Sequence, residues 1–128
     1  MPRLNNPSGV AAPVAAYSHV AEVKAGSRML YLAGQVGVGP DGKLKEGAAA
    51  QAEQVYNNIK TIVEAEGMTL ANVVKVTTFL VDAGDIPAMR EARDKVFGDL
   101  KPPSTLLVIS RLAGPEYKIE VEAVAAED

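Results

Sequence analysis

The sequence predicts an α+β domain, with two helices packed on one face of a mixed β-sheet of five or six strands. Two segments, near 48–66 and 86–100, repeat apolar residues at three- and four-residue steps, as amphipathic helices do. Around them run stretches rich in alternating β-branched residues, which are typical of half-buried strands. The chain has 128 residues, so we expect residues 1–128 to form one domain.

Composition narrows the classes of function. Hydrophobic residues make up 48% and charged residues 23% of the chain, as in ordinary globular proteins. There is no cysteine and one histidine, His19, so we expect neither a cysteine-based nor a His-rich metal site. The net charge is −3 with scattered basic residues, which disfavours a nucleic-acid partner. No apolar run approaches the roughly 20 residues of a membrane span, and we expect a cytoplasmic protein without a membrane partner.

The first strands are predicted as a hairpin. Residues 1–15 hold four prolines or glycines and no periodicity, which predicts an irregular N-terminal segment. Residues 16–23 alternate weakly, 25–27 suit a turn, and 29–36 are strongly apolar. We therefore predict a β-hairpin over residues 16–36.

The segment 37–42 reads Gly-Val-Gly-Pro-Asp-Gly and matches a GxGxxG dinucleotide motif after a strand. That motif requires the glycines to open a helix whose N-terminus binds the pyrophosphate. Here Pro40, Asp41 and Gly42 form a tight-turn sequence, and helical periodicity starts only near Ala48. The turn interpretation is therefore favoured over the nucleotide interpretation.

The central part of the chain is predicted as helix, strand, helix. The first helix, 48–66, is followed by Gly67, a residue that suits a helix C-terminus. The strand spans 73–81. Asp85 is placed to cap the second helix, and the Pro102-Pro103 pair is expected to stop it.

The last quarter of the chain is predicted as a second hairpin. Residues 104–110 and 117–125 both suit strands, and Gly114 and Pro115 suit a turn between them. One face of the second strand is apolar and carries Ile119, Val121, Ala123 and Ala125. The other face carries Glu120 and Glu122, which suit acid–base chemistry, although strand carboxylates are often structural or solvated.

This layout predicts an oligomer. Two helices cover only one face of a sheet, and neither face of the predicted final hairpin is purely polar. We therefore expect the face opposite the helices to meet another subunit. A cyclic homo-oligomer would bury that face and form clefts between subunits.

An ordered series of motifs resembles the RidA/YjgF family of reactive-intermediate deaminases over nearly the whole chain. The series comprises Tyr17, Ala-Gly-Gln-Val at 33–36, Gln51, Asn57 or Asn58, 74–82, Phe97, Pro102, 111–112 and 119–123. The resemblance implies a chorismate-mutase-like α+β fold and a homotrimer with ligand clefts at its subunit interfaces. It also implies hydrolysis of imines or enamines of 2-oxo acids to the 2-oxo acid and ammonia, with no metal or organic cofactor.

The resemblance also implies a site. Its catalytic group would be Glu120, Gly34 and Tyr17, and its substrate-binding group Ala33, Arg90, Ser104 and Leu106. Glu120 would position or deprotonate water, and a backbone N–H near Gly34 would polarise the reacting group. Ser104 stands where the family usually has the arginine that binds the substrate carboxylate, and serine supplies neither charge nor a two-pronged donor.

Arg90, in the second predicted helix, is a candidate replacement for that cation. Alternatively, Arg90 and Arg93 are solvated helix residues that pair with Glu91 or Asp94. A charge-assisted pair contributes roughly 1.5–3 kcal/mol, so the two interpretations predict different ligand affinities.

Three hypotheses for function follow. The first is a RidA-like trimer that binds a small 2-imino or 2-oxo acid, or a related carbonyl or amine, and hydrolyses an imine or enamine with altered specificity. The second is a non-catalytic metabolite-binding or regulatory member of the family. A ribonuclease or translation inhibitor has the least support, because the charge balance opposes it.

Overall fold

The computed structural model describes residues 1–128, which form six strands and two α-helices. The strands are β1 (Arg3–Asn5), β2 (Val20–Glu22), β3 (Arg28–Val36), β4 (Val73–Leu80), β5 (Ser104–Val108) and β6 (Ile119–Glu127). The helices are α1 (Ala48–Ala65) and α2 (Ile86–Phe97), and short 3₁₀ turns precede β4 and α2 at Leu70–Asn72 and Ala83–Asp85. The predicted α+β class is confirmed, and the six strands form two sheets rather than one.

The main sheet has four strands in the order β3-β6-β4-β5. Its neighbouring strands are antiparallel except for β4 and β5, which run parallel. Parallel strands need a crossover connection, and α2 lies within the connection between β4 and β5. The crossover leaves β5 at one edge of the sheet.

The predicted hairpin over residues 16–36 is wrong. β2 pairs with β1 in a separate two-stranded sheet, with Arg3 opposite Glu22, while β3 pairs with β6. The N-terminal segment predicted as irregular therefore contains a strand. An ion pair between Arg3 Nε and Glu22 Oε1 at 2.9 Å joins the two short strands. The weak alternation near β2 does not select one partner over the other.

The predicted final hairpin is also wrong, although both of its strands exist. β5 pairs with β4, and β6 lies between β3 and β4, so β5 and β6 are not neighbours in the sheet. The predicted apolar face of β6 is nevertheless correct, since Ile119, Val121, Ala123 and Ala125 are all buried. Alternation determines which face of a strand is buried, but it does not identify the strand with which that strand pairs.

The turn interpretation of 37–42 is confirmed. The N–H of Gly42 donates to the carbonyl of Gly39 at 2.9 Å, and Val38 and Leu44 form an isolated antiparallel bridge. Helix α1 begins only after this turn and bridge, so the glycines do not open a helix.

Both helices pack their apolar faces on one face of the main sheet. Helix α1 buries Ala52, Val55, Tyr56, Ile59 and Val63, and α2 buries Met89, Ala92 and Phe97. These side chains form one core with the buried residues of β4 and β6. The burial of both apolar stripes agrees with the predicted amphipathic helices.

The ends of α2 differ from the prediction. Asp85 makes no side-chain capping bond; instead Asp82 Oδ1 accepts from the N–H of Gly84 at 2.8 Å, one turn earlier. The helix ends at Phe97, before the Pro102-Pro103 pair, because Gly98 takes a positive φ of 57° that favours glycine.

Two polar side chains on α1 hold loops in place. Gln51, 2% exposed, donates from Nε2 to the carbonyls of Lys45 at 3.1 Å and Glu116 at 3.2 Å, and its Oε1 accepts from the N–H of Lys118 at 2.8 Å. Asn58 Nδ2 donates to the carbonyl of Val38 at 3.0 Å. The neighbouring Asn57 bonds only a carbonyl of its own helix, so Asn58 is the asparagine with a tertiary role.

The face of the main sheet opposite the helices, called the open face below, is uncovered in a single chain. Tyr31 on this face is 77% exposed and Leu107 is 44% exposed. Lys75 Nζ donates to Thr105 Oγ1 across the β4–β5 pair at 2.6 Å. This is the face for which the sequence predicts a subunit contact.

Neither α1 nor α2 combines the length and the apolar character that a helix needs to span a bilayer.

Candidate ligand site

A cavity of about 470 Å³, called the site cavity below, lies on the helix side of the sheet. It is bounded by α1, α2, β4, β5 and the segment 14–17. Four residues from the predicted site line it, namely Tyr17, Arg90, Ser104 and Leu106.

The parallel pairing of β4 and β5 directs Ser104 and Leu106 into the cavity. Val76 pairs with Ser104, and Thr78 pairs with Leu106. Paired residues on adjacent strands project from the same face of a sheet, and Val76 and Thr78 are buried beneath the helices. Ser104 and Leu106 therefore also face α2.

Helix α2 brings two arginines to the cavity, and only one of them is engaged within the protein. Arg93 donates to Asp94 Oδ1 at 3.0 Å and to the carbonyl of Leu100. Its guanidinium also lies 5.4 Å from the centroid of the Phe97 ring. Arg90 is exposed and has no carboxylate within ion-pair distance and no hydrogen bond to the protein. Arg90 is thus the guanidinium that remains available at the cavity.

The floor of the cavity is aromatic and apolar. Tyr56 is 1% exposed and Phe97 is 3% exposed, and their rings meet edge to face with centroids 5.9 Å apart. The hydroxyls of Tyr56 and Thr78 lie 3.4 Å apart. Burial raises the pKa of Tyr56, although the hydrogen bond with Thr78 opposes the rise. The phenol is therefore neutral at physiological pH and keeps its proton.

The segment 14–17 closes one side of the cavity and carries Tyr17. The N–H of Val14 donates to the Tyr17 hydroxyl at 3.4 Å. The imidazole of His19 contacts the Tyr17 ring edge to face at 5.7 Å, and its Nε2 lies 2.7 Å from the carbonyl of Ala11. His19 therefore supports the segment from outside and does not line the cavity.

The other predicted site residues lie elsewhere. Ala33 and Gly34 fall in a break in the β3–β6 ladder, between Leu32 and Gln35, where a bulge redirects the strand. Any side chain on Gly34 would overlap the Glu120 carboxylate, so glycine is what permits Glu120 to lie across the strand. Gly34 and Glu120 form a second group of neighbours.

The sheet separates this second group from the site cavity. Glu120 pairs with Phe79, and Phe79 pairs with Leu107, so Glu120 shares the open face with Leu107. Ser104 faces the opposite way. Within one chain, the carboxylate of Glu120 and the cavity therefore lie on opposite sides of the sheet.

The cavity offers a defined set of chemical groups. It has a free cation at Arg90, hydroxyls from Ser104, Thr78, Tyr17 and Tyr56, and one carboxylate, Asp94, which Arg93 engages. No group of three or more His, Asp or Glu side chains is placed to hold a metal ion. The arrangement suits binding of an anion that has an apolar body.

Several cavity residues were not predicted as site residues. The sequence places Tyr56 and Phe97 in the apolar stripes of the helices, which is where they lie. They also line the cavity because α2 leaves a space above β4 and β5, and no local sequence pattern predicts that space. The one available signal is the hydroxyl of Tyr56 within an apolar stripe, because a buried tyrosine usually needs a polar partner.

Sequence comparisons place this chain among known proteins. The family model described as Endoribonuclease L-PSP matches residues 9–127. Protein HMF1 of Saccharomyces cerevisiae is 39% identical over 117 residues, covering 91% of this chain and 88% of that protein. A 2-iminobutanoate/2-iminopropanoate deaminase of Salmonella typhimurium is 35% identical over 118 residues, covering 89% of this chain and 91% of that protein.

Solved structures agree with the sequence comparisons. A protein of unknown function of the conserved Rid family, YyfB from Yersinia pestis, has a TM-score of 0.86 at 30% identity and covers 98% of both chains. RidA from an Antarctic Psychrobacter has a TM-score of 0.74 at 30% identity, covering 98% of this chain and 99% of that one. The chain therefore belongs to the RidA/YjgF family, whose family model is Endoribonuclease L-PSP and whose members include the RutC family proteins.

Proposed function

We propose that the protein binds a small carboxylate-bearing metabolite in the site cavity and hydrolyses the imine or enamine of a 2-oxo acid there. The observation that carries the proposal is Arg90, a guanidinium that lines the same cavity as Ser104 and has no partner in the protein, while Arg93 is engaged by Asp94. Part of the alternative interpretation agrees with the structure, since Arg93 pairs with Asp94 and Arg90 is exposed. Because Arg90 itself pairs with neither Glu91 nor Asp94, we propose it as the replacement cation.

Arg90 suits the carboxylate of a 2-oxo acid. A guanidinium presents parallel N–H donors that match both oxygens of a carboxylate. Ser104 adds a hydroxyl from the facing strand. The charge then comes from α2, and β5 contributes a neutral donor at the position where relatives are expected to carry the cation.

Hydrolysis requires water to add to the carbon of the C=N bond, after which the C–N bond breaks and ammonia leaves the 2-oxo acid. Glu120 is the candidate that positions and deprotonates the water. Because Glu120 faces away from the cavity of its own chain, we propose that it acts at the cavity of a neighbouring subunit in a homotrimer. Relatives named as 2-iminobutanoate/2-iminopropanoate deaminases, at 35% and 34% identity, support this reaction.

A second candidate function is binding without hydrolysis, as in a regulatory member of the family. The observation in its favour is that Asp94 is the one carboxylate that lines the cavity, and Arg93 holds it at 3.0 Å. A single chain therefore has no free general base next to Ser104.

A ribonuclease function, which the name of the family model suggests, has little physical support. The net charge is −3, and several cations are neutralised locally, as in the pairs Arg3–Glu22 and Arg28–Glu127. Binding to phosphates depends on a cluster of uncompensated cations.

The proposed activity is tested with 2-imino acids formed in situ from L-amino acids by an amino-acid oxidase. Semicarbazide traps the imine that remains, and its absorbance reports the loss of imine. We expect wild type to lower the trapped imine and Glu120→Gln, which cannot deprotonate water, to lose the effect. Arg90→Ala is expected to raise KM by about ten- to 150-fold, the equivalent of one charge-assisted pair.

Lys43→Ala is the charge-matched control, because Lys43 is exposed and lies outside the cavity. It is expected to behave as wild type. Binding of 2-oxo acids with no imine hydrolysis would support the non-catalytic candidate instead, and hydrolysis that persists in Glu120→Gln would remove Glu120 from the mechanism.

A further inference from the structure

Helix α2 presents a cation and an anion next to each other at the site cavity. Arg90 and Asp94 both line the cavity, and they lie at positions i and i+4 of the helix. Side chains at this spacing share one face of a helix, with their Cβ atoms about 5–6 Å apart. The helix itself therefore holds the two charges close together.

Arg90 and Asp94 do not pair with each other. Arg90 forms no ion pair, and the partner of Asp94 is Arg93. An i, i+4 pair with the basic residue nearer the N-terminus is less favourable than the reverse order. The charge of Arg90 is therefore not neutralised by the carboxylate that lines the same cavity.

Asp94 keeps one carboxylate oxygen free. Arg93 Nη1 lies 3.0 Å from Asp94 Oδ1, whereas Oδ2 accepts no hydrogen bond from the protein. The side chain of Asp94 is 63% exposed, so Oδ2 is accessible to a ligand. An ionised carboxylate only accepts hydrogen bonds, and Oδ2 therefore favours a ligand atom that donates one.

A free cation and a free acceptor at this spacing suit a ligand that carries both charges. The guanidinium of Arg90 matches a carboxylate, and Oδ2 of Asp94 matches a positively charged nitrogen that bears hydrogens. In a protonated 2-imino acid the nitrogen and the carboxylate are attached to adjacent carbons, which holds them close together. A 2-oxo acid has an oxygen in place of the nitrogen, and this oxygen would meet Asp94 as a second acceptor with no hydrogen between them.

We infer that Asp94 makes the site cavity selective for ligands with a cationic nitrogen beside the carboxylate, namely protonated 2-imino acids and 2-amino acids, over 2-oxo acids. The inference rests on the proposed function for the role of Arg90. It adds a residue that determines specificity, and it implies that hydrolysis weakens binding, because the product has lost the nitrogen that Asp94 holds.

The test compares two stable probes with the same carbon chain, L-2-aminobutanoate and 2-oxobutanoate, by isothermal titration calorimetry. For wild type we expect the Kd of the amino acid to be about two- to fivefold lower, which corresponds to one ion pair at a partly exposed site. Asp94→Asn keeps an oxygen that accepts from Arg93 and removes the charge, and it is expected to abolish the preference. Glu91→Gln is the matched control and should retain the preference, because Glu91 is exposed on the same helix and does not line the cavity.

The outcomes separate the inference from the proposed function. Equal Kd values in wild type, or tighter binding of the 2-oxo acid, with both probes weakened in Arg90→Ala, would overturn the selectivity and leave carboxylate binding at Arg90 in place. A preference that survives in Asp94→Asn, or that Glu91→Gln removes to the same extent, would also overturn the inference. Failure of both probes to bind would overturn both proposals.

Discussion

Arg90 and Arg93 lie nearly one helical turn apart on α2 and line the same cavity, yet their surroundings give them different roles. The side chain of Arg93 is 13% exposed, bonds Asp94 and stacks on Phe97. Its donors serve the fold. Arg90 makes none of these contacts, so its charge is available to a ligand. At the residue scale, the partners of a guanidinium decide whether it supports structure or binding.

Tyr56 carries a pH-dependent contribution to stability. Burial raises the pKa of Tyr56 above its ordinary value, so above about pH 10 the unfolded chain releases a proton that the folded protein keeps. The contribution is complete below the unfolded pKa and is lost as pH rises toward the folded pKa. We expect the free energy of unfolding in urea to fall more steeply with pH above about 10 for wild type than for Tyr56→Phe.

Tyr117→Phe, at a tyrosine outside the buried core, is the matched control for this measurement. Parallel stability curves for wild type and Tyr56→Phe would contradict the assigned shift.

At the scale of elements, positions were predictable from sequence and two of the strand pairings were not. Helix α1 was predicted at 48–66 and spans Ala48–Ala65, because a three- and four-residue period is a property of the segment itself. The partner of β5 depends on the crossover through α2, and the partner of β2 on a strand near the N-terminus. The alternation of residues along β5 or β2 identifies neither of these partners.

The same limit applies to the site. Ser104 and Leu106 were predictable as neighbours because they alternate on one strand, and in the structure both line the same cavity as Arg90. The separation of Ser104 from Glu120 follows from the registers of β5 and β6 on β4, since Ser104 pairs with Val76 and Glu120 with Phe79, which point to opposite faces. The volume of the cavity follows from how α2 packs over β4 and β5, which is a tertiary property.

Gln51 shows how one side chain of α1 fixes two loops. Gln51→Ala would remove three hydrogen bonds, to Lys45, Glu116 and Lys118, and leave their backbone groups without partners. We expect the free energy of unfolding to fall by about 1–3 kcal/mol or more, measured by urea denaturation. Asn57→Ala removes an amide on the same helix that bonds only Glu53, and we expect a change within about 0.5 kcal/mol. Equal losses in both variants would contradict the tertiary role of Gln51.

At the scale of the whole molecule, the exposed open face and the position of Glu120 both concern assembly into a trimer. A single chain leaves Tyr31 and Leu107 exposed and holds Glu120 away from the cavity. A homotrimer that uses the open face would bury the first two and bring Glu120 toward the cavity of another subunit. The proposed hydrolysis therefore depends on assembly, whereas ligand binding at Arg90 does not.

Assembly is measured by sedimentation velocity at micromolar concentration. We expect the wild-type protein to sediment as a trimer, and Tyr31→Glu to shift it toward monomer because a carboxylate would be buried without a partner. Val10→Glu adds the same charge at a 61% exposed position of the N-terminal segment and should leave the trimer intact. A monomeric wild type would contradict the assembled site.

The central claim is that Arg90 supplies the carboxylate-binding charge that Ser104 lacks, and calorimetric titration with 2-oxobutanoate tests it most directly. We predict that Arg90→Ala raises the Kd by about ten- to 150-fold, and that adding Ser104→Arg to Arg90→Ala restores most of the affinity, while Lys43→Ala changes nothing. An unchanged Kd in Arg90→Ala would contradict the claim.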